Sequence, residues 1–434
     1  MSEQAKSKND LAWEALFEKY DILSRIEAEG KYIISAAQIK EYREPRLMAK
    51  FDHNINLPQI FSKNNLAILP ISRGDYVISY FEAYQPFESL DTAITRTCLP
   101  FGLQSLDMNN IPSEAIAINA ALACGMLSDF LGEDFLYPTV AGRMGSGQFD
   151  FNILNSHTKM PTAVSVNNSQ IEIDAAFEGG QSLALFEAKR DLSEDFLVRQ
   201  LYYPFRTWSS RVTKKVRPVF LVYSNGIFHL YEYEFSDPDL YNSLVLIRHK
   251  NYSIEDTAID LSDLREVALR TQIVAEPEIS FPQANRFELV INLCELLNTR
   301  ELSRERVTEE YAFDLRQTNY YTDAARYLGL LEKHYDNKHK PVYSLSAMGK
   351  RVINLNYRER QLALCEAILR HRAFRETFDF CMETGVMPDA AAIVDIMQRS
   401  NLYKVESKST YLRRSSTISG WIHWMLDLTQ SSFF

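Results

Sequence analysis

The sequence predicts an α/β core on a mixed central sheet flanked by helices, with an α+β region before it and mainly helical domains after it. Three observations predict this fold class. From residue 113 the apolar pattern runs helix, strands, helix, strands, which is typical of helices layered on a sheet. Before it, turn residues interrupt short β-type runs over 57–84. After about residue 280, apolar residues recur at helical spacing.

The elements of the core follow from apolar periodicity and capping signals. A mostly apolar helix is predicted over 113–132, because Ser113 is a good N-cap and Gly132 ends the run. The elements expected after it are a loop over 140–153 whose glycines lead into a short strand, an irregular polar segment over 154–168, two strands within 171–191, a helix over 191–211, and two strands within 217–235 joined by Asn225-Gly226.

Changes in pattern divide the 434 residues into four expected domains, since the chain is too long for one typical core. The domains are an N-terminal α+β region over 1–110 with a helical start at 10–42, the core over 111–275, a helix-and-hairpin domain over 276–370, and a second helical domain over 371–434.

Composition narrows the class of protein. The net charge of −10 counts mildly against nucleic-acid binding, although local basic patches decide that question. The five cysteines form no C-x-x-C pair, which argues against a zinc site and favours reduced thiols. The longest apolar run, 115–127, is too short to cross a bilayer, and the first ten residues lack an apolar signal segment. A cytoplasmic protein without a membrane partner is expected.

Residues 171–191, IEIDAAFEGGQSLALFEAKRD, place three charged side chains on two apolar strands around a Gly-Gly turn. Glu187 and Lys189 share a face, because residues two apart on a strand lie on the same side. Symmetric pairing about the glycines places Asp174 opposite Leu185, on that same face, unless a bulge shifts it. These charges could simply decorate a solvent-facing strand. The apolar neighbours on both faces favour a buried strand, where such charges need a use or a partner.

Two carboxylates held close together repel each other unless a cation lies between them. Their hard oxygen atoms suit Mg²⁺, which gives Asp174 and Glu187 as the expected metal ligands. The ammonium group of Lys189 could then hold an attacking water or offset charge on a phosphate.

This layout resembles the PD-(D/E)xK nuclease superfamily, on Asp174 followed by Glu187-Ala188-Lys189 on the next strand. The resemblance covers roughly residues 111–235 and implies a restriction-endonuclease-like core. It also implies an acidic residue on the preceding helix, for which Glu114 is the match, and it brings in Gln200 on the following helix. The chain departs from the pattern at Ile173, where many members have proline.

Other candidates in the core are weaker. Asp150 is a rival for the first carboxylate, and the glycine-rich stretch 142–147 could approach a phosphate or be only a loop. Gln200 is as consistent with a surface amide as with a site residue. His229 lies in an apolar strand, which favours a hydrogen-bonded core histidine.

Three helical patterns followed by a hairpin, with Asp336-Asn337 at its tip, give the element order of a winged-helix domain. The third helix of such a domain enters the DNA major groove. The expected DNA-binding residues on that helix are Arg316, Gln317, Asn319 and Tyr320, because such side chains pair with base edges. A similar order of elements over 372–429 adds Arg413 and Arg414, and basic residues of the hairpin and the N-terminal region are further candidates: Lys333, His334, Lys338, Lys340, Arg46, Lys50 and Arg73. Winged-helix folds also bind proteins, so an interaction module remains an alternative.

Together these features resemble a type II restriction endonuclease with C-terminal winged-helix domains. The expected function is Mg²⁺-dependent, sequence-specific cleavage of double-stranded DNA, with a homodimer as the simplest way to supply two active sites. The alternatives are a nuclease of DNA repair or transposon-end processing, and a winged-helix DNA-binding regulator whose nuclease core is not catalytic.

Overall fold

The computed structural model describes residues 6–88, 93–107, 111–255, 257–311, 313 and 315–429. Contacts between residues divide the chain into two units. The first contains 1–93, 113–223 and 228–251, and the second contains 94–112, 224–227 and 252–434. The N-terminal region therefore belongs to the same unit as the strands and helices of the expected core.

Residues 6–88 form short helices around a small antiparallel sheet of order β1-β3-β2. Its elements are α1 Lys8–Tyr20, α2 Ile22–Glu29, β1 Tyr32–Ser35, α3 Ala36–Lys40, α4 Pro45–Met48, α5 Gln59–Lys63, β2 Ala67–Pro70, β3 Asp75–Ser79 and β4 Tyr84–Pro86. A capping box of Ser7 and Asp10 starts α1, and buried Trp13 packs edge-on against Phe61. The helix expected over 10–42 is thus wrong beyond α2, because β1 interrupts it.

The central sheet has seven strands in the order β5-β14-β13-β12-β10-β9-β6. The remaining elements up to residue 253 are β5 Ile94–Arg96, α6 Glu114–Ala123, α7 Met126–Leu131, β6 Tyr137–Gly145, β7 Gln148–Leu154, β8 Pro161–Asn167, β9 Gln170–Glu178, β10 Ser182–Lys189, β11 Asp195–Leu197, α8 Arg199–Ser209, β12 Lys215–Ser224, β13 Ile227–Phe235 and β14 Leu244–Ser253.

The sheet is mixed, because β10 runs parallel to β12 and antiparallel to β9. Strand β10 is buried along almost its whole length, as expected for a central strand. Helices α6 and α8 both pack on β9 and β10. Leu183 and Leu185 of β10 join one apolar cluster with Leu201 and Tyr202 of α8. The expected mixed sheet with flanking helices is confirmed.

Several expected elements differ. The short strand expected after the glycines of 140–153 is β7, but the first part of the expected loop belongs to β6, which pairs with β9. The stretch expected to be irregular over 154–168 contains β8, which forms a separate hairpin with β7. The single helix expected over 113–132 is two helices divided at Gly125, whose φ is 73°. The helix expected over 191–211 starts only at Arg199, because residues before it form β11, which pairs with β4.

The second unit is mostly helical, as expected for the C-terminal part of the chain. Its elements after residue 253 are α9 Leu261–Arg270, α10 Phe287–Leu296, β15 Leu302–Ser303, α11 Arg304–Glu310, α12 Leu315–Tyr327, β16 Leu331–Tyr335, β17 Pro341–Leu345, α13 Ala347–Ile353, α14 Tyr357–Leu369, α15 Arg372–Thr384, α16 Ala390–Gln398 and α17 Lys408–Asp427.

Helices α10, α11 and α12 precede the β16–β17 hairpin in the expected order, and β15 pairs with β17 as a third strand. The Asp336 side chain accepts the backbone N–H groups of Lys338 and Lys340, both at 2.8 Å, which closes the hairpin tip. By contrast, the described residues of 371–429 contain three helices and no strand. Over the described residues 371–429, the helix-and-hairpin order expected for the second winged-helix-like domain (371–434) is therefore not seen.

Candidate active site at the end of strand β10

The β9–β10 hairpin turns at Gly180-Gln181, where the Gly179 N–H donates to the Ser182 carbonyl at 3.0 Å. Glu133 stabilises this turn, because its carboxylate accepts the Ser182 hydroxyl at 2.7 Å and the Gln181 N–H at 3.3 Å. The turn lies one residue later than expected. A turn displaced by one residue moves the register by two, so the face of each side chain is preserved.

In the observed register, Leu185 lies opposite Ala176, and the last pair is Phe186 with Ala175. Asp174 was expected opposite Leu185, and this expectation is wrong. Asp174 lies just beyond the last pair on β9, as Glu187 does on β10. Strand β9 is also irregular here: Val140 and Gly142 of β6 pair with Ala176 and Ile173, so two steps along β6 match three along β9.

The irregularity does not carry Asp174 away from β10. Its Oδ2 atom accepts the backbone N–H of Ala188 at 2.8 Å, between Glu187 and Lys189. Asp174 also raises the pKa of Glu187, after the larger effects of burial, which raises it, and Lys189, which lowers it. The structure thus brings together Asp174, Glu187 and Lys189.

Glu187 is buried, with 9% of its surface exposed. Its Oε1 atom accepts the Lys189 ammonium at 2.6 Å and the Gln200 side-chain amide at 2.7 Å. Burial, opposed by Lys189 and assisted by Asp174, raises the pKa of Glu187 to about 7. Gln200, for which the sequence left a surface role open, is therefore a direct partner of the site.

Lys189 is also largely buried, with 13% of its side chain exposed. Burial alone would lower the pKa of this ammonium, but Glu187, Asp52 and Glu114 outweigh it, so the pKa of Lys189 lies above its ordinary value. The lysine is consequently a fixed positive charge among several acids.

Glu114 begins helix α6, whose N-cap is Ser113. Burial raises the pKa of Glu114; among the charges, Lys189 lowers it and Asp174 raises it. Its carboxylate thus lies within electrostatic reach of the cluster, as the resemblance implies.

A segment that the sequence did not single out as part of this site reaches the same cluster. Residues 50–54, Lys-Phe-Asp-His-Asn, are called here the KFDHN segment. The Leu197 N–H donates to the carbonyl of Asp52 at 2.9 Å. His53 is buried with its Nε2 atom 3.3 Å from an Asp191 carboxylate oxygen and its Nδ1 atom 2.6 Å from the Asp195 carbonyl. Burial lowers the pKa of His53, but Asp191 and the other acids leave it above its ordinary value. In the sequence, the only indication that this segment could join a site is the pair Asp52-His53 next to the apolar Phe51.

The acidic side chains do not form a complete set of metal ligands in this structure. Across the described residues, no three or more His, Cys, Asp or Glu side chains are grouped so as to hold a metal ion. A cavity of about 10 Å³ lies beside Glu187 and Gln200, which is about the space that one water molecule needs.

The other core candidates lie elsewhere. Asp150 is exposed on β7, whose hairpin with β8 is separate from the sheet of β9 and β10. His229 lies on β13 with its Nδ1 atom 2.7 Å from the Asn251 side-chain oxygen. Burial lowers the pKa of His229 to about 4, which the hydrogen bond to Asn251 opposes. Both observations fit a neutral, hydrogen-bonded histidine.

The expected DNA-binding side chains of the second unit lie on two helices. Arg316, Gln317, Asn319 and Tyr320 are all exposed or half-buried on α12, whereas Thr318, Tyr321 and Thr322 are buried. The Arg316 Nε atom donates to the Tyr320 hydroxyl at 2.6 Å.

Arg413 and Arg414 lie in the first half of α17. Burial and the neighbouring Arg413 lower the pKa of Arg414, while Tyr320 and Asp323 raise it. Arg414 therefore lies within electrostatic reach of Tyr320 and Asp323 on α12.

Three family profiles match the chain, each described as a domain of unknown function. The DUF6996 profile matches residues 10–78, DUF6997 matches 79–253, and DUF7226 matches 289–430. The KFDHN segment lies in the first match, and the cluster on β9 and β10 lies in the second. No curated protein and no solved structure matches the chain. Within the ranges that the structure describes, no helix is long and apolar enough to cross a bilayer.

Proposed function

We propose that the protein is a Mg²⁺-dependent endonuclease that cleaves double-stranded DNA at specific sites, in the manner of a type II restriction endonuclease. The observation that carries this proposal is the meeting of Asp174, Glu187 and Lys189 at the end of β10, with Gln200 on the Glu187 carboxylate. Buried charges of this kind are costly for stability, and clusters of them mark reactive sites. The layout resembles the restriction-endonuclease-like core of PD-(D/E)xK nucleases.

The side chains present fit a divalent cation. Asp174 and Glu187 offer hard carboxylate oxygens, and burial, with a smaller contribution from repulsion by Asp174, raises the pKa of Glu187. Those two residues would hold the ion, with Glu114 nearby. When bound, Mg²⁺ supplies Lewis-acid stabilisation of the charge that develops on the scissile phosphate.

Lys189 has a distinct part in this reaction. Its ammonium contacts the Glu187 carboxylate in the metal-free protein and keeps its proton, so in the reaction it can hydrogen-bond the oxygen of an attacking water or a phosphate oxygen. In hydrolysis a new P–O bond forms to the water oxygen, the P–O bond to the leaving sugar oxygen breaks, and one water proton ends on the leaving group. Gln200 keeps the Glu187 carboxylate in place during these steps.

DNA recognition is assigned to the second unit in this proposal. The winged-helix order of α10 to β17 presents Arg316, Gln317, Asn319 and Tyr320 on α12, the helix that enters the major groove in such domains. Arg414 lies close to Tyr320 and extends that surface. Because two strands must be cut, we infer a homodimer, and sedimentation analysis with and without DNA tests it.

Incubation of plasmid DNA with and without Mg²⁺ tests the activity. Discrete fragments with a common end sequence support a restriction endonuclease, and sequencing of the ends gives the site and the cut position. A smear indicates a nuclease of low specificity, such as one of repair or transposon-end processing.

A second candidate function has its own observation. The Glu187 Oε1 atom already accepts two hydrogen bonds, from Lys189 and Gln200, and a carboxylate satisfied in this way also fits a DNA-binding regulator whose nuclease core is not catalytic. Retardation of DNA in a gel without cleavage in Mg²⁺ or Mn²⁺ would favour that candidate.

The variant Lys189→Ala tests the site itself. We expect cleavage to fall by at least about a hundredfold, because the charge that faces the developing oxyanion is lost. Binding to DNA in Ca²⁺ should persist. Lys40→Ala, at an exposed position on α3, is the matched control and should cut normally. Normal cleavage by Lys189→Ala would place the active site elsewhere.

A further inference from the structure

The KFDHN segment is fixed beside the site by hydrogen bonds to the chain that follows β10. Besides the bond from Leu197 to the Asp52 carbonyl, the Asn54 N–H donates to the Asp195 carboxylate at 3.0 Å. The Tyr84 hydroxyl donates to the Phe51 carbonyl at 2.9 Å. Main-chain anchors on both sides of Asp52 hold its side chain in a defined place, although it lies far from β10 in the sequence.

The carboxylate of Asp52 is incompletely satisfied. Its Oδ1 atom is buried and has no hydrogen-bond partner, while its Oδ2 atom lies 3.5 Å from the exposed ammonium of Lys50. A buried carboxylate oxygen without a donor is unfavourable, because it has lost its hydrogen bonds to water and has not gained one from the protein. Such an atom requires a physical explanation, and an acceptor that is left open for a donor or cation is one.

Among the neighbouring charges, Lys189 has the largest effect on the pKa of Asp52. Burial raises the pKa of Asp52, but Lys189 lowers it more than any other charge does, and the result lies below the ordinary value. In return, Asp52 ranks behind only Glu187 among the charges that raise the pKa of Lys189. The carboxylate of Asp52 therefore lies within electrostatic reach of the Lys189 ammonium, while its buried Oδ1 atom accepts no hydrogen bond.

The ammonium has to change partner if Glu187 binds a cation. Lys189 and Gln200 both donate to the same Glu187 Oε1 atom, and a positive ion at that carboxylate would repel the ammonium. A buried ammonium with no anion nearby is strongly destabilised, so the exchange requires a second acceptor inside the site.

We propose that Asp52 is that acceptor: a positioning residue that receives the Lys189 ammonium when Glu187 takes up the divalent cation. This inference rests on the proposed function, because it assumes that Glu187 binds a metal ion. It assigns a part in the reaction to the N-terminal region, which would supply the anion that keeps Lys189 in the site while leaving Glu187 available.

Binding of Mn²⁺ to the full-length protein without DNA, measured by calorimetry and by electron paramagnetic resonance, tests the inference with no need for cleavage. We expect Asp52→Asn to bind Mn²⁺ about tenfold more weakly, because the ammonium then stays on Glu187 and competes with the ion. Lys189→Met should bind more tightly than the wild type, since no ammonium competes. The double variant Asp52→Asn/Lys189→Met should bind as tightly as Lys189→Met alone.

Glu27→Gln, which removes one negative charge from an exposed position on α2, is the matched control and should bind like the wild type. Thermal unfolding of each variant identifies any that fails to fold, and Asp52→Glu, which keeps the acceptor, should recover part of the affinity. That recovery would not follow if Asp52 only filled space.

The outcomes separate the two proposals. If Asp52→Asn binds Mn²⁺ like the wild type, the positioning role is overturned and the metal site stands. If Asp52→Asn weakens binding equally with and without Lys189, Asp52 acts on the ion directly and the positioning role is again overturned. If the wild type and Glu187→Gln are alike in binding no Mn²⁺, the proposed function fails and the inference fails with it.

Discussion

The protonation of Glu187 makes the stability of the metal-free protein depend on pH in a way that one substitution removes. Burial, opposed by Lys189, raises the pKa of Glu187 from 4.5 to about 7. Glutamine has the shape of the protonated glutamate and does not ionise. The difference between the wild type and Glu187→Gln therefore reports the ionisation of Glu187 alone.

The sign follows from proton linkage. A carboxyl group with a raised pKa in the folded state binds its proton more tightly there than in the unfolded chain. Its contribution to stability is therefore fully present below pH 4.5 and is lost as the pH rises through about 7. The change in pKa corresponds to about 3 kcal/mol, of which about 2 kcal/mol is lost between pH 5 and pH 7.5.

Urea unfolding in EDTA at a series of pH values between 5 and 7.5 measures this effect. We expect the free energy of unfolding of the wild type to fall by about 2 kcal/mol more than that of Glu187→Gln over this range. Glu27→Gln should show the wild-type dependence, because its carboxylate is exposed. Parallel curves for the wild type and Glu187→Gln would refute the reasoning, since they would show that Glu187 titrates alike in both states.

Two further substitutions test other parts of the structure. Gly226→Ala, at a φ of 78° with the added Cβ 3.0 Å from an Arg360 nitrogen, should lower the free energy of unfolding by about 1–3 kcal/mol in urea titrations. The loss of stability should be larger than for Gly385→Ala, where φ is 71° and no atom lies within 4 Å of the added Cβ. Equal losses for the two variants would show that the contact with Arg360 has no effect on stability. Arg316→Ala should weaken binding of cut-site DNA by about 1–3 kcal/mol if it contacts a base edge. Arg372→Ala, an exposed arginine on α15, is its control in fluorescence-anisotropy titrations, and equal affinities for both variants would remove α12 from the interface.

Local chemistry predicted the parts of the fold that depend on neighbouring residues. The Asn225-Gly226 turn between β12 and β13 is present, with φ values of 52° and 78°, because these two residue types tolerate positive φ at little cost. The alternation of side chains predicted that Glu187 and Lys189 would meet, and they lie 2.6 Å apart. The Ser113 cap and the hairpin tip at Asp336 also follow from local signals.

Longer-range pairing decided the elements that local patterns predicted wrongly. The glycines predicted a loop before the short strand of 140–153, but β9 supplies hydrogen-bond partners to residues 137–145, and Gly142, with φ 91°, accommodates the bulge. Residues 195–197 are a strand because β4 pairs with them. In both cases the partner lies tens of residues away, so periodicity within the segment does not reveal it.

The sequence by itself determined the hairpin of β9 and β10 and the common face of Glu187 and Lys189, because a strand repeats every two residues. Only the tertiary structure decided that Gln200 would turn to the Glu187 carboxylate, and that Asp52 and His53 would join the site from the N-terminal region. The physical reason is the range of the forces involved: backbone geometry is set between neighbours, whereas burial and charge compensation depend on which distant segments the folded chain packs together.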